Sequence, residues 1–545
     1  MFDFGKIDRT YVEARKNFKQ VIPDQFNFAF DVIDVHASKA DKTAIIAVSG
    51  DGQNDEEISF KELSEKSNRA ANGFQSLGLE KGDFACVVIG RIPAWYHVLF
   101  GCMKSGIVSM PGTNLLTAKD IEYRVNYSKA KAIIVSAEHC EKIEEIRDNC
   151  PTLQHFIVVG REVDNWINFE NLCKNSEPTI STDSRVITRS DDMMMAYFTS
   201  GTTAMPKMVP RNFGYALAHS ATALFWMDLR RDDIHWTLTD TGWAKAAWGM
   251  LFPQFLIGTT VILYNGESGF DVELHLKMIS KYKVSTFCAP PTVYRLFAQQ
   301  NLSNYDFSSI RRSLGAGEPL NPEVIRLWKS ATGTTIADGY GQTETINIVA
   351  NYPDQEVKVG SMGQPVPGFD VDIIDDDGNR LPCDEIGHIA INTENGWPSG
   401  LFAGYYAMNG LDRKSFRKGW YFTGDTATRD KDGYIWFVGR ADDLISSAGY
   451  RISPFEVESS LLEHPAVAES AVIGVADDTR GQVVKAYIIL ARDYNSSDQL
   501  AKEIQAFCKL HTAPYKYPRE IEFVDELPKT ISGKIRRVEL RESEQ

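Results

Sequence analysis

Several common signatures are missing from this 545-residue chain. The eight cysteines lie scattered at positions 86, 102, 140, 150, 173, 288, 383 and 508 with no C-x-x-C pair, a spacing that offers neither a zinc site nor a disulfide framework. Reduced thiols inside a cell are the expectation. Cations are in deficit, 58 Lys and Arg against 73 Asp and Glu for a net charge of −15, which argues against nucleic acid or an anionic membrane as partner, since both demand a cationic surface. The first 19 residues alternate charges with single apolar residues and lack the apolar core of a secretory signal. The longest uncharged run, Ala246 to Gly266, is interrupted by Pro253, Gln254, Gly258, Thr259 and Thr260, so it reads as a buried helix, a turn and the strand Val261 to Tyr264 and not as an integral membrane span. No internal repeat or low-complexity segment stands out. A cytoplasmic location is expected, with the mitochondrial matrix as the alternative in a eukaryotic source.

What is present is a soluble globular composition, 43% hydrophobic and 24% charged, on a chain too long for one hydrophobic core. From Ser59 to Phe287 helical patterns such as Phe60 to Ser76 alternate with apolar runs such as Phe84 to Ile89, Ala132 to Val135 and His155 to Val159. That alternation predicts α/β architecture with parallel-rich sheets packed with helices. After Gly360 short strands and Gly/Asp turns predict a small β-rich subdomain over about 360–438. The acidic turn Asp375 to Asn379 lacks the further ligands of a calcium loop and reads as structural punctuation. Past Arg440 a helix (Pro454 to Glu463), two strands (Glu469 to Val475 and Val483 to Leu490), a helix (Ser497 to Leu510) and a basic tail predict a small α+β domain. The boundaries are then 1–440 for a large amino-terminal domain and 441–545 for a carboxy-terminal one.

The most informative stretch is Thr199-Ser200-Gly201-Thr202-Thr203-Ala204-Met205-Pro206-Lys207. It follows the apolar run Met193 to Phe198, a predicted buried strand, and brings hydroxyl donors, a glycine and a lysine together as a polyphosphate requires. The competing reading is a polar surface turn. The G-x-x-x-x-G-K-[ST] frame is absent, which disfavours nucleotide kinases. Gly315 to Pro319 is a tight turn after a strand, against which a base could lie. Glu344, Asp425 and Lys534 read on composition alone as a solvated glutamate, an exposed Gly-Asp turn and part of a basic tail.

The series Asp338-Gly339-Tyr340-Gly341-Gln342-Thr343-Glu344-Thr345, Gly424-Asp425, Gly439-Arg440-Ala441-Asp442-Asp443 and Ser532-Gly533-Lys534 changes those odds. In order and rough spacing, the chain resembles the adenylate-forming superfamily over most of its length. Pro206-Lys207-Met208, Asp240-Thr241-Gly242-Trp243, Ala448-Gly449-Tyr450-Arg451 and Thr512 to Pro518 are similar to the medium-chain acyl-CoA synthetases within it. The resemblance implies a large domain and a mobile carboxy-terminal lid that turns about Asp442. It also implies a two-step reaction, in which a carboxylic acid and ATP give acyl-AMP and pyrophosphate, and CoA then displaces AMP.

It further implies roles. Thr199, Ser200, Gly201, Thr202, Thr203 and Lys207 would hold the β- and γ-phosphates; Ala204 departs from the family's usual glycine. Gly317, Glu318, Pro319, Asp338, Gly339 and Tyr340 would receive adenine, with Gln342 and Thr343 beside the nucleotide and Glu344 binding Mg2+. Asp425 would take the ribose hydroxyls, with Arg440 as counter-donor. Lys534 would reach the α-phosphate and carboxylate during adenylation, and a lysine acyltransferase acting on it would switch that step off. Gly449 would leave room for pantetheine, beside Tyr450, with Arg451, Arg480 and Lys509 gripping CoA phosphates. Trp243 would wall the acyl pocket, although with Trp248 and Met250 it reads more readily as core, and Gly341 would leave space for a longer acyl chain where acetate-restricted relatives carry tryptophan. The alternatives are a ligase loading a carrier protein, and a nucleotide-binding regulatory protein without turnover.

Overall fold

A computed structural model of the chain describes residues 7–39, 41–199, 206–266, 269–317, 322–407, 409–447, 450–477, 479–513, 515–530 and 534–544, with the backbone alone at Arg451. Packing divides it into two compact units that interleave in sequence. The first contains the described residues up to Thr199 with Met208–Phe369 and Gly396–Arg413, and the second contains Asp370–Asn395 and Lys414–Gln545 with the stretch before Met208. The β-rich region expected with the amino-terminal domain thus packs mainly with the carboxy-terminal residues.

In the first unit, two sheets are covered by helices, as parallel-rich sheets require. Among the described residues one sheet has seven strands, ordered Ile167–Asn168, His155–Val159, Ala132–Ser136, Phe84–Val88, Val108–Pro111, Met193–Phe198 and Met208–Asn212, parallel except for the last pair. The other has nine, ordered Gln364–Pro365, Asn347–Ala350, Ile336–Gly341, Arg312–Gly315, Thr286–Ala289, Ile234–Thr237, Thr260–Tyr264, Thr43–Val48 and Asp55–Ser59. Its centre is parallel and its edges antiparallel. The helix Phe60–Ser76 shows why such elements form where they do. Ser59 caps it by accepting from the Glu62 amide at 3.2 Å, and Phe60, Leu63, Ser67, Ala70, Ala71 and Phe74 bury one face at helical spacing. Under the larger sheet Trp236, Phe287, Tyr294, Phe297 and Trp328 form an aromatic core. The uncharged run expected to be helix, turn and strand is the helix Phe252–Ile257, Gly258 at φ +82° and the strand Thr260–Tyr264, preceded by a π-helical turn, Ala247–Leu251. Among the described residues no helix is long and apolar enough to cross a membrane.

In the second unit, one antiparallel sheet joins Val371–Ile374, Gly387–Asn392, Trp420–Arg429 and Phe416–Arg417, with Ile435–Arg440 paired to Trp420–Arg429. Another joins Tyr450–Ile452, Ile445–Ser447, Gly481–Leu490 and Val467–Asp477, with Glu520–Phe523 parallel to Gly481–Leu490. The helices Pro454–Leu461 and Asp498–His511 pack on this sheet through Val457, Leu461, Ile504 and Cys508 against Val472, Val484 and Ile488. Asp375 organises its acidic turn by accepting at Oδ1 from the amides of Asp377 and Asn379, both at 2.8 Å.

Candidate active site

In the first unit Ile234–Thr237, Thr286–Ala289, Arg312–Gly315 and Ile336–Gly341 are consecutive parallel neighbours. Their carboxyl ends therefore share one edge, the place where open α/β sheets bind ligands. Asp240–Trp243, Gly317 and Tyr340–Glu344 all emerge there. The first of these loops fastens the two sheets together: Thr241 Oγ1 donates to the Ile89 carbonyl at 2.6 Å, and the Gly242 amide donates to Asp240 Oδ1 at 2.8 Å. A Cβ on Gly242 would sit 1.9 Å from the Thr113 nitrogen, so only glycine allows this approach. Burial pushes the Asp240 carboxyl up, opposed by its bond from Gly242 and by Arg91. Trp243 and Trp248 are half-buried and Met250 is buried. Lys245 reaches the Ala316 carbonyl at 3.5 Å and lies 5.5 Å from the Trp248 ring centre.

Asp338 is held largely uncharged, its pKa pushed up to about 8 by burial, against the opposing effects of the Gly339 amide and Lys245. A carboxylic acid in that state can donate a hydrogen bond as well as accept one. The strand ends in a bulge, with the register shifting between Tyr340 and Gly341 against Asn347–Ala350. Here one expectation needs correcting. A Cβ on Gly341 would lie 2.4 Å from the Ile346 carbonyl oxygen and 3.0 Å from Asn347 Cα. A side chain at Gly341 is therefore excluded by backbone, and the direction it would take offers no room for an acyl chain. The turn that follows is closed by the Gln342 amide donating to Thr345 Oγ1 at 2.9 Å. It presents Glu344, which is 8% exposed and accepts from Tyr405 Oη at Oε1, 2.7 Å away. Arg211, which sequence reasoning missed, donates through Nη1 to the Glu344 carbonyl at 2.9 Å. Thr199 is half-buried at the end of its strand and Lys207 is exposed. Ser200, Gly201, Thr202, Thr203, Glu318 and Pro319 lie outside the described residues.

The second unit groups the remaining residues. Asp425 and Arg440 face each other across a strand pair, Nη1 to Oδ1 at 3.2 Å, with Asp425 6% exposed. Arg440 Nε also lies 3.4 Å from the exposed Asp442. The next residue, Asp443, is gripped from the tail helix Arg537–Ser543 by Arg541 at 2.7 Å and Arg537 at 3.5 Å. Arg537 in turn makes two 2.7 Å bonds to the buried Glu458. Lys534 is exposed, on a loop closed by the Thr530 amide donating to the Lys534 carbonyl at 2.7 Å and the Lys534 amide donating to Thr530 Oγ1 at 3.1 Å. Tyr450 stacks on Tyr515 with ring centres 4.2 Å apart. The Arg480 amide donates to Asp477 Oδ1 at 2.8 Å. Lys509 and Arg519 both lie over the Tyr517 ring, at 5.5 Å and 5.1 Å; Tyr517 was named from sequence only within the Thr512 to Pro518 segment, and Arg519 was not singled out. Gly449 and the Arg451 side chain lie outside the described residues.

Residues 34–406 match the family model of the AMP-binding enzyme, and residues 456–534 that of the AMP-binding enzyme C-terminal domain. The chain belongs to the AMP-binding enzyme family. Among similar members, acyl-coenzyme A synthetase ACSM4, mitochondrial, of Mus musculus is 43% identical over 98% of this chain and 93% of its own length. Acyl-coenzyme A synthetase ACSM5, mitochondrial, of Homo sapiens is 42% identical with the same coverage. Of solved structures, the anthranilate CoA ligase AuaEII in complex with anthranoyl-AMP superposes with a TM-score of 0.86 at 32% identity, covering 96% of this chain and 98% of that one. The Brucella canis acyl-CoA synthetase does so with a TM-score of 0.76 at 33% identity and 99% coverage of both. This AMP-binding family member is thus similar from end to end to acyl-CoA synthetases, in both sequence and fold.

Proposed function

We propose that the protein is an ATP-dependent medium-chain acyl-CoA synthetase that converts a carboxylic acid, ATP and CoA into acyl-CoA, AMP and pyrophosphate through an acyl-AMP intermediate. The observation that carries this reading is the gathering of the Asp240, Gly317 and Asp338–Glu344 loops at one edge of the parallel sheet, in a chain similar along 98% of its length to acyl-coenzyme A synthetases. The anthranoyl-AMP named in a solved neighbour supports the acyl-adenylate. The names of the relatives favour CoA over a carrier protein as acceptor, and support a mitochondrial location in a eukaryotic source.

The roles follow from chemistry. A carboxylate oxygen displaces pyrophosphate from the α-phosphate only if the two anions are brought together and the charge developing between them is met. Thr199, Lys207 and the hydroxyl loop between them hold the outer phosphates. Gly317 and Asp338–Tyr340 receive adenine, to which an uncharged Asp338 can donate a hydrogen bond. Asp425 takes the ribose hydroxyls, with its second interaction, Arg440, keeping it in place. Glu344 offers Mg2+ one carboxylate oxygen outside the Tyr405 bond, and a hard cation that keeps waters and phosphate oxygens as its other ligands needs little more. Among the described residues no group of three or more His, Cys, Asp or Glu forms a metal cage. When bound, that cation would neutralise phosphate charge.

Lys534 supplies the mobile cation of the first step. Its exposure on a short closed loop supports a group that is brought in and withdrawn, with Asp442 as the hinge between 1–440 and 441–545. In the second step the thiol of CoA attacks the acyl carbonyl and AMP leaves, with Gly449, Tyr450, Arg451, Arg480 and Lys509 receiving the CoA arm and phosphates. Tyr517 and Arg519 stand with Lys509 and join that group. The deciding experiment is a product assay with octanoate, ATP, Mg2+ and CoA. AMP and pyrophosphate are expected, and ADP and phosphate, or nucleotide binding without turnover, would overturn the reading.

A further inference from the structure

Arg211 is a fully protein-enclosed cation that no part of the two-step scheme uses. It is 1% exposed on the strand Met208–Asn212, and its guanidinium lies 3.6 Å above the Tyr215 ring centre. A buried guanidinium ordinarily takes a carboxylate partner, because removal from water is otherwise very costly. Arg211 instead donates from Nη1 to the Glu344 carbonyl at 2.9 Å and from Nη2 to the Gly400 carbonyl at 2.5 Å. The Phe402 amide also donates to the Glu344 carbonyl, at 2.9 Å. One planar fork therefore ties the Gln342–Glu344 turn to the Gly396–Arg413 segment, a geometry lysine cannot reproduce. The same segment returns Tyr405, whose neutral hydroxyl donates to Glu344 Oε1 at 2.7 Å. Glu344 forms no ion pair among the described residues, although a guanidinium is bonded to its own backbone.

We propose that Arg211 and Tyr405 are positioning residues for Glu344: they fix its backbone and one carboxylate oxygen while leaving its charge unpaired for a divalent cation brought by the nucleotide. A direct Arg211–Glu344 salt bridge would hold the turn equally well and would spend that charge. Bonding to the carbonyl and using a neutral phenol for orientation avoids this. The inference rests on the reading of Glu344 as a cation ligand.

The test is equilibrium binding of α,β-methylene-ATP to the full-length protein, titrated with Mg2+, alongside urea unfolding. Glu344→Gln should raise the Mg2+ midpoint strongly. Tyr405→Phe, which removes one hydroxyl, should raise it by about tenfold, the worth of a hydrogen bond to a charged group, with an unchanged unfolding midpoint. Arg211→Lys should raise it similarly, and if that variant fails to fold, Tyr405→Phe decides alone. A shift with Glu344→Gln but none with Tyr405→Phe overturns the positioning role and leaves the metal assignment standing. No shift with Glu344→Gln overturns the metal assignment, and the positioning role with it.

Discussion

Glu344 and Lys534 carry opposite charges, are assigned to the same adenylation step, and are held in opposite ways. Glu344 is 8% exposed, with its carboxylate bonded by Tyr405 and its carbonyl by Arg211 and Phe402. Lys534 is exposed, and the bonds described for it are made by its own backbone to Thr530, the amide to the side-chain oxygen and the carbonyl to the amide. Around it, Lys529 pairs with Glu469 at 2.8 Å, the Arg536 amide donates to the Pro528 carbonyl at 2.8 Å, and Arg537 is locked to Glu458 and Asp443. On the proposed roles the contrast is a division of labour: the carboxylate assigned to the metal is set in place by the fold, whereas the lysine assigned to adenylation leaves its side chain exposed. Free energy is consistent with this, since preorganised charge costs no reorganisation at the moment of reaction.

Breaking the comparison at its exposed end should give the largest effect. Lys534→Ala is expected to slow adenylate formation by about 100- to 1,000-fold, as losing one charged contact to a transition state does. Thioester formation from supplied acyl-AMP and CoA should persist. Acylation of Lys534 by a cellular acyltransferase should have the same signature, because it removes the charge. Pyrophosphate exchange and single-turnover thioester formation, measured separately, check this. Equal loss in both would remove the assignment of Lys534 to one step.

The sheet edge beside Glu344 should answer to pH. Asp338 keeps its proton to about pH 8, whereas an unfolded aspartic acid releases it near 3.8. The native state then holds the extra proton between those values, so this group makes stability fall as pH rises from 3.8 to 8 and adds no slope above. His36 and His97 act in the opposite sense. Both are kept neutral to about pH 4 by burial against an unfolded value of 6.5, so they make stability fall as pH drops from 6.5 to 4. From pH 6.5 to 8 Asp338 is left without that opposition. Asp338→Asn should therefore flatten the decline in thermal midpoint over that window and leave the acid-side loss intact. An unaltered alkaline slope would mean that Asp338 ionises normally.

Gly341 sharpens the comparison at the turn before Glu344. Gly341→Ala places a methyl group against the Ile346 carbonyl, and overpacking of this kind costs about 1–3 kcal/mol. Activity on propionate and octanoate should fall together. A selective loss on octanoate would restore Gly341 to the acyl pocket.

The contrast between local and distant order also sets what could be read from sequence. Met193–Phe198 and Phe60–Ser76 were legible to the residue, because a bounded apolar run and a capped 3.6-residue period are local signals. The motif residues could be named, but not what grips them. Arg211 lies 133 residues from Glu344 and Tyr405 lies 61 away, and Arg211 sits in a strand where composition alone predicts a solvent-facing cation. The packing of Asp370–Asn395 with the carboxy-terminal residues was likewise hidden, because a boundary drawn along the chain cannot show which sheet a segment joins. Gly341 misled for a related reason: a missing side chain signals close approach, and the sequence does not say whether by substrate or by backbone.

The smallest effect is expected at the exposed edge of the second unit. Lys509 is exposed and its ammonium lies 5.5 Å from the Tyr517 ring centre, a contact worth about 0.5–1 kcal/mol at such a site. Lys509→Ala should consequently leave unfolding nearly unchanged. If Lys509 meets a CoA phosphate, its loss should raise the KM for CoA by about tenfold, the worth of one charge-assisted hydrogen bond in a wet site. The KM for ATP and the rate of pyrophosphate exchange should not move, because neither involves the CoA-binding face. Dephospho-CoA and CoA, compared in wild type and variant, sharpen the point further. A phosphate-specific role predicts that the variant loses most of the wild type's preference between them, and an undiminished preference would exclude Lys509 from contact with the 3′-phosphate.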